Sequence, residues 1–187
     1  DPVHLDLCGG VPMNRHSSLG AGPGIAFGRR LAERSGVPQG LICCAHGGAS
    51  MDQWSPDLKD RSGKSLYSAM LRRVWKNGGR VAGVVWYQGC SDTISDETCA
   101  AYTDKMIRMV SEMRKDLRSP GLPFVMAQIS RMTNAPWTGT DESESALSAA
   151  AVRGWNSIRD QQRRLSDRIR RLAVVPTIDL PLADFIH

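Results

Sequence analysis

Residues 81–92 read V-A-G-V-V-W-Y-Q-G-C-S-D. The run from Val81 to Tyr87 is apolar, rich in β-branched and aromatic residues, and stops at Gln88-Gly89. A short apolar run bounded by turn residues predicts a strand buried on both faces. Strands of that kind belong to parallel sheets, whose crossover helices cover both sides. In open α/β sheets, ligands bind beyond the carboxyl ends of the strands. Gln88, Gly89 and Asp92 therefore bring an amide, a glycine and a carboxylate to the place where such proteins keep their chemistry. Gly, Ser and Asp are also ordinary turn residues, so the stretch needs the rest of the chain to interpret it.

Working outward, apolar runs and helical periodicities alternate. Residues 24–34 predict a helix, with Pro23 near its start, Ile25, Phe27 or Gly28, and Leu31 along one side, and Gly36 at its end. Residues 39–45 predict a buried strand, and 65–77 a second helix that groups Leu66, Met70, Leu71, Val74 and Trp75 before Gly78-Gly79. Downstream of the quoted stretch, residues 96–118 carry Tyr102, Met106, Met109, Val110, Met113 and Leu117 at helical spacing. That methionine-rich stripe reads as core packing. A strand at 123–129, a polar loop at 131–146, an arginine-rich helix and a strand at 173–179 complete the pattern. Strands alternating with helices imply βαβ units and a parallel sheet covered on both faces.

Composition narrows the function classes. The 187 residues are 41% apolar and 23% charged, the balance of a globular protein with room for one core. No apolar stretch reaches membrane-spanning length, so no membrane partner is expected. The chain opens at Asp1-Pro2 without an initiator Met, and is expected to be a piece of a longer protein. The net charge is +5, and seven arginines crowd residues 153–171. These arginines alternate with Val152, Trp155, Ile158, Leu165, Ile169 and Leu172 at helical spacing, which reads as the solvated face of an amphipathic helix and not as a nucleic-acid surface. Five cysteines form no C-x-x-C pair; Cys43-Cys44 read as small core residues, and a Cys90–Cys99 bridge is conceivable. Four histidines, at 4, 16, 46 and 187, lack metal-ligand spacing, so neither a metal nor another cofactor is expected.

Two further loops follow strands. After 39–45 comes His46-Gly47-Gly48-Ala49-Ser50, then Gln53-Trp54. Consecutive glycines let backbone N–H groups approach a ligand, as in an oxyanion hole, or simply make a tight turn. His46 reads either as a base or as a hydrogen-bonded structural residue. Ser50 lacks the G-x-S-x-G context of a nucleophile. The glycines at 20, 22, 24 and 28 lack the preceding strand of a dinucleotide fingerprint, and that site is rejected. The last strand is followed by D-L-P-L-A-D-F-I-H, which places Asp184 three residues before His187. A carboxylate can hold a histidine in the tautomer that acts as a base, although D-x-x-H is a weak pattern by itself.

With these loops in hand, the chain resembles the carbohydrate acetylesterase group that includes sialate O-acetylesterases, within the SGNH-hydrolase superfamily. The matching segments are G-P-G-I-A-F (22–27), G-L-I-C-C-A-H-G-G-A-S (40–50), Q-W-S-P (53–56), S-L-Y-S-A-M-L-R-R (65–73), G-V-V-W-Y-Q-G-C-S-D (83–92) and D-L-P-L-A-D-F-I-H (179–187). The resemblance implies an α/β fold, a three-layer sandwich around a central parallel sheet of flavodoxin-like type, with the first strand missing. It implies one esterase-like domain over residues 1–187, incomplete at its N-terminus and truncated at its C-terminus. The implied reaction is removal of acetyl groups from acetylated carbohydrate, sialic acid or xylan-like glycans, through an acyl-enzyme. His187 would be the general base and then acid, with Asp184 orienting it. Gly48, with Gly47 beside it, would offer backbone donors to the oxyanion, and Gln88 would line the same hole. A secreted or periplasmic location is implied.

Two departures from the family pattern qualify this reading. The family's serine nucleophile lies in a G-x-S-type block upstream of the matched region, so the fragment alone is expected to be inactive. The family's Glu after Gln-Gly is here Cys90, and a neutral thiol accepts hydrogen bonds poorly. The rival readings are a degenerate, non-catalytic carbohydrate-binding relative and, from the arginine segment, a nucleic-acid-binding module.

Overall fold

The computed structural model of the protein describes residues 23–60, 64–132 and 149–181. These group into two compact units, one of 23–47 with Asp57–Arg80 and the other of Gly48–Pro56 with 81–181.

The first unit holds two helices. Helix α1, Gly24–Ser35, begins behind Pro23 and ends at Gly36, whose left-handed φ of 68° lets its N–H reach the carbonyl of Ala32. Helix α2, Leu66–Lys76, opens with a capping box in which Ser65 and Ser68 satisfy each other's backbone N–H groups. Leu66, Tyr67, Ala69, Met70 and Val74 of α2 are buried, whereas Trp75, expected on the same side, is 47% exposed. Residues 39–45, expected as a buried strand, form no strand. A strand exists only through a ladder partner, and among the described residues this segment pairs with none. It is held through side chains instead: Arg73 of α2 donates to the carbonyl oxygen of Cys43 at 2.7 Å.

The second unit carries the sheet. Strands β1 (Val84–Trp86), β2 (Phe124–Ala127) and β3 (Leu172–Val175) lie in that order and all run parallel. Val84 pairs with Phe124, and Phe124 with Leu172, so the three strands end at one edge. Helix α3 (Asp96–Asp116) joins β1 to β2, and helix α4 (Ala149–Arg168) precedes β3. Successive right-handed crossovers in one direction along a sheet put their helices on one face. The packing agrees: α3 lies against α4, and α4 against β3. The expected stripes supply this core, with Tyr102, Met106, Met109, Val110, Met113 and Leu117 on the α3 side and Trp155, Ile158, Leu165 and Ile169 on α4. Arg163 and Arg164 project from α4 and pair with Asp160 at 2.6 and 2.7 Å, in keeping with a solvated face.

Strand β1 departs from its expected double-sided burial. Trp86 is buried, but Val85, pointing the other way, is 46% exposed. The ladder is also shorter than the apolar run, because Val81 to Gly83 precede it and the first bond is the one that the Val84 N–H donates to the carbonyl of Pro123. Cys43, Cys44, Cys90 and Cys99 are thiols, so the conceivable Cys90–Cys99 bridge is not formed. Among the described residues, no helix is long and apolar enough to cross a membrane.

Candidate functional site

The carboxyl edge of the sheet is built from the residues that follow each strand. After β1 the chain turns at Gly89, whose φ of 144° disfavours any side chain. A Cβ there would also lie 2.7 Å from the amide nitrogen of Gln162. The Gln-Gly pair therefore has a local cause: α4 presses directly on the turn. The chain then makes one 3₁₀ turn, Cys90–Asp92, before Ser95 caps α3.

Gln88 points back toward the segment Gly48–Pro56. Its Nε2 donates to the carbonyl of Ala49 at 2.9 Å and to Oδ2 of Asp92 at 2.5 Å. A carbonyl oxygen can only accept, so the amide group facing Ala49 is the NH₂, and both of its protons are engaged. Its Oε1 is buried and has no partner among the described residues. The backbone carbonyl of Gln88 is fixed as well, receiving the Tyr102 hydroxyl at 3.2 Å and Nε2 of Gln162 at 2.8 Å.

Asp92 is fully buried, and its two carboxylate oxygens accept from the backbone N–H of Met51 at 3.2 and 3.1 Å. Burial raises its pKa above the usual carboxylate value; the bonds from Gln88 and Met51 and the charge of Lys105 oppose that rise, while Asp52 adds to it. Lys105 and Asp52 form an ion pair at 2.7 Å, a second tie between α3 and the 48–56 segment. Gly48, at φ 68°, is exposed and opens that segment directly before buried Ala49. Gln88 and Gly48, predicted separately, are thus brought together through Ala49. Asp184 and His187 lie outside the described residues. The chain reaches 181 from β3, where Arg131 donates to the carbonyl oxygens of Ile178 and Leu180.

The other sequence candidates fall out differently. Ser50 donates through its N–H and hydroxyl to Oε1 of Gln53, at 2.9 and 3.4 Å, as a turn residue does. His46 and Gly47 belong to the first unit, His46 half-buried and Gly47 exposed. Cys44 has its thiol pushed up to about 11 by burial, against the opposing charge of Arg73, so it is no thiolate at neutral pH. Among the described residues, no three His, Cys, Asp or Glu side chains could hold a metal ion.

Sequence reasoning missed Gln162, which is completely buried and bonds Gln88, Tyr102 and the N–H of Ile129. The signal was present: Gln162 interrupts the apolar spacing of Ile158, Leu165 and Ile169, so a helix placing those inward places Gln162 inward too. A buried amide on such a stripe must find partners, and it finds them at the strand ends.

A sequence model of the family described as carbohydrate esterase, sialic acid-specific acetylesterase matches residues 1–187. The chain belongs to this carbohydrate esterase family. A probable carbohydrate esterase of Arabidopsis thaliana is 31% identical over 135 residues, which cover 69% of this chain. The chain spans about half of that relative, 47% of its length. A solved structure of an Arabidopsis thaliana protein superposes with a TM-score of 0.72 at 26% identity, covering 100% of this chain and 74% of the other. A carbohydrate acetylesterase of Xanthomonas citri shares the fold, with a TM-score of 0.65 at 22% identity over 85% of this chain and 34% of the other. The esterase family and the α/β fold with a parallel sheet, both expected from the resemblance, hold.

Proposed function

We propose that this chain is part of a serine-type carbohydrate O-acetylesterase that removes acetyl groups from acetylated sugars, of sialic acid or xylan type, through an acyl-enzyme. The observation that carries the reading is the bracket at the carboxyl end of β1, where Gln88 and Asp92 hold the Ala49–Met51 backbone next to Gly48. Family membership supplies the reaction class.

In this reading a serine borne upstream of Asp1 in the whole protein attacks the acetyl carbonyl. His187, oriented by Asp184, takes the hydroxyl proton as the oxygen–carbon bond forms. The carbonyl oxygen becomes an oxyanion facing the Gly48 backbone N–H, a donor that needs no protonation change. Collapse expels the sugar alkoxide with the proton from His187; water then repeats the sequence and releases acetate. Gln88 can donate to the oxyanion only by releasing Ala49 or Asp92, because both amide protons are engaged. Its main service at rest is to hold the wall.

The test is acetate release by the complete gene product from 4-nitrophenyl acetate and from acetylated sialic acid and xylan. His187→Ala should lower kcat by about 10⁴-fold or more. Full activity in that variant would remove His187 from the mechanism. Cys90, where the family pattern has Glu, favours one second reading, a carbohydrate-binding relative without activity. Glycan binding with no acetate release by the complete protein would establish it.

A further inference from the structure

We propose that Asp92 is a positioning residue for the reaction: one buried carboxylate sets both walls of the oxyanion site, holding the Met51 N–H on one side and the Gln88 amide on the other. This rests on the esterase reading above and adds a residue to it.

The geometry leaves each wall few alternatives. The Gly48–Pro56 segment has no helix or strand over its first residues, so its backbone is placed by what receives its polar groups. Met51 N–H goes to Asp92, Ala49 carbonyl goes to Gln88, and Gln88 is itself oriented by Asp92. The carboxylate thus acts twice on the same short loop, once directly and once through Gln88. Asp92 in turn is rigid. Its carbonyl accepts from Thr98 Oγ1 at 2.9 Å and Cys99 Sγ at 3.4 Å, both in the first turn of α3. An asparagine at 92 keeps the shape, and its one oxygen can still accept from both donors, but its NH₂ then takes the place of Oδ1, 3.2 Å from the Met51 N–H. Donor faces donor there, and the Met51 wall is pushed away. The groups facing the carboxylate are Asp52 from the loop and Lys105, Cys99 and Tyr102 from α3.

The experiment is a double-mutant cycle in the complete gene product, with Asp92→Asn, Gln88→Ala and the pair, followed by acetate release. Asp92→Asn should lower kcat by about 10²-fold while KM stays within about twofold, the signature of misplaced groups in place of lost substrate binding. The double variant should be no slower than the slower single variant. Losses that multiply in an active, folded enzyme would overturn the assignment. The wild-type protein gives a readout that needs no substitution: the Met51 amide should exchange slowly with solvent deuterium, and exchange as fast as an exposed loop amide would overturn the assignment too. No acetate release from wild type would instead overturn the esterase reading, and with it the catalytic sense of the bracket.

Discussion

Asp92 is a carboxyl held out of water, and its titration belongs to the stability of the fold. Burial raises its folded pKa above the unfolded value of about 4. A raised carboxyl stabilises the folded state through its proton, so the contribution is whole below the unfolded value and is lost as pH rises through the folded one. The stability of wild type relative to Asp92→Asn should therefore fall as pH climbs from about 4 toward neutrality, measured by urea unfolding of both proteins at each pH. A trend of the opposite slope would mean that the hydrogen bonds and Lys105 outweigh desolvation. Gly89 gives a second residue-level expectation. Alanine there meets both a φ of 144° and the Gln162 amide at 2.7 Å, so Gly89→Ala should cost about 1–3 kcal/mol in the same unfolding assay. Gln88 could be singled out in the sequence because an amide directly after an apolar run is unusual. The partners of Asp92 and Gln162 could not be read there, because they are 41 and 74 residues away in the chain.

Helices were legible because their signals are local: apolar spacing and a terminal glycine lie within a few residues of the elements they define. The structure adds a local cap at Ser65 for α2, and Ser65→Ala should remove about 1 kcal/mol from the stability of the unit that contains it, read as a lowered urea midpoint. The segment at 39–45 failed for the converse reason, since apolar composition suggests a strand but only a pairing partner makes one. Helix α4 carries an element-level expectation that inverts the usual rule. Glycine to alanine inside a helix ordinarily stabilises by about 1 kcal/mol. At Gly154 the added methyl would sit 2.1 Å from the carbonyl oxygen of Thr93, a backbone atom with little freedom. Gly154→Ala should therefore destabilise, by about 1–3 kcal/mol, and it should do so by lifting α4 from the turn that follows β1. Because Gln162 rides on the same helix, acetate release by the complete protein should fall with it.

Across the molecule, helix alternation and a parallel sheet were readable from apolar runs, and β1, β2 and β3 form that sheet. Cross-chain polar ties were not readable, since each depends on the finished packing. Arg114 is a further example, joining the end of α3 to the carbonyls of Leu122 and Arg170 at 2.8 and 2.7 Å. The second unit also carries an edge-to-face ring pair, Trp54 against Trp86, with centroids 5.0 Å apart at 70°. One ring belongs to the loop that opens at Gly48 and the other is the last residue of β1. Two indoles this close couple their electronic transitions, so the protein contains its own optical gauge of loop seating. The circular dichroism of the strong short-wavelength indole band should show an exciton couplet that Trp54→Phe abolishes while helicity read from the infrared amide band stays constant. Detachment of the loop, by substitution at Asp92 or by mild denaturant, would then be visible as loss of that couplet before any helix melts, giving a light signal for a displacement that otherwise has to be inferred from reaction rates.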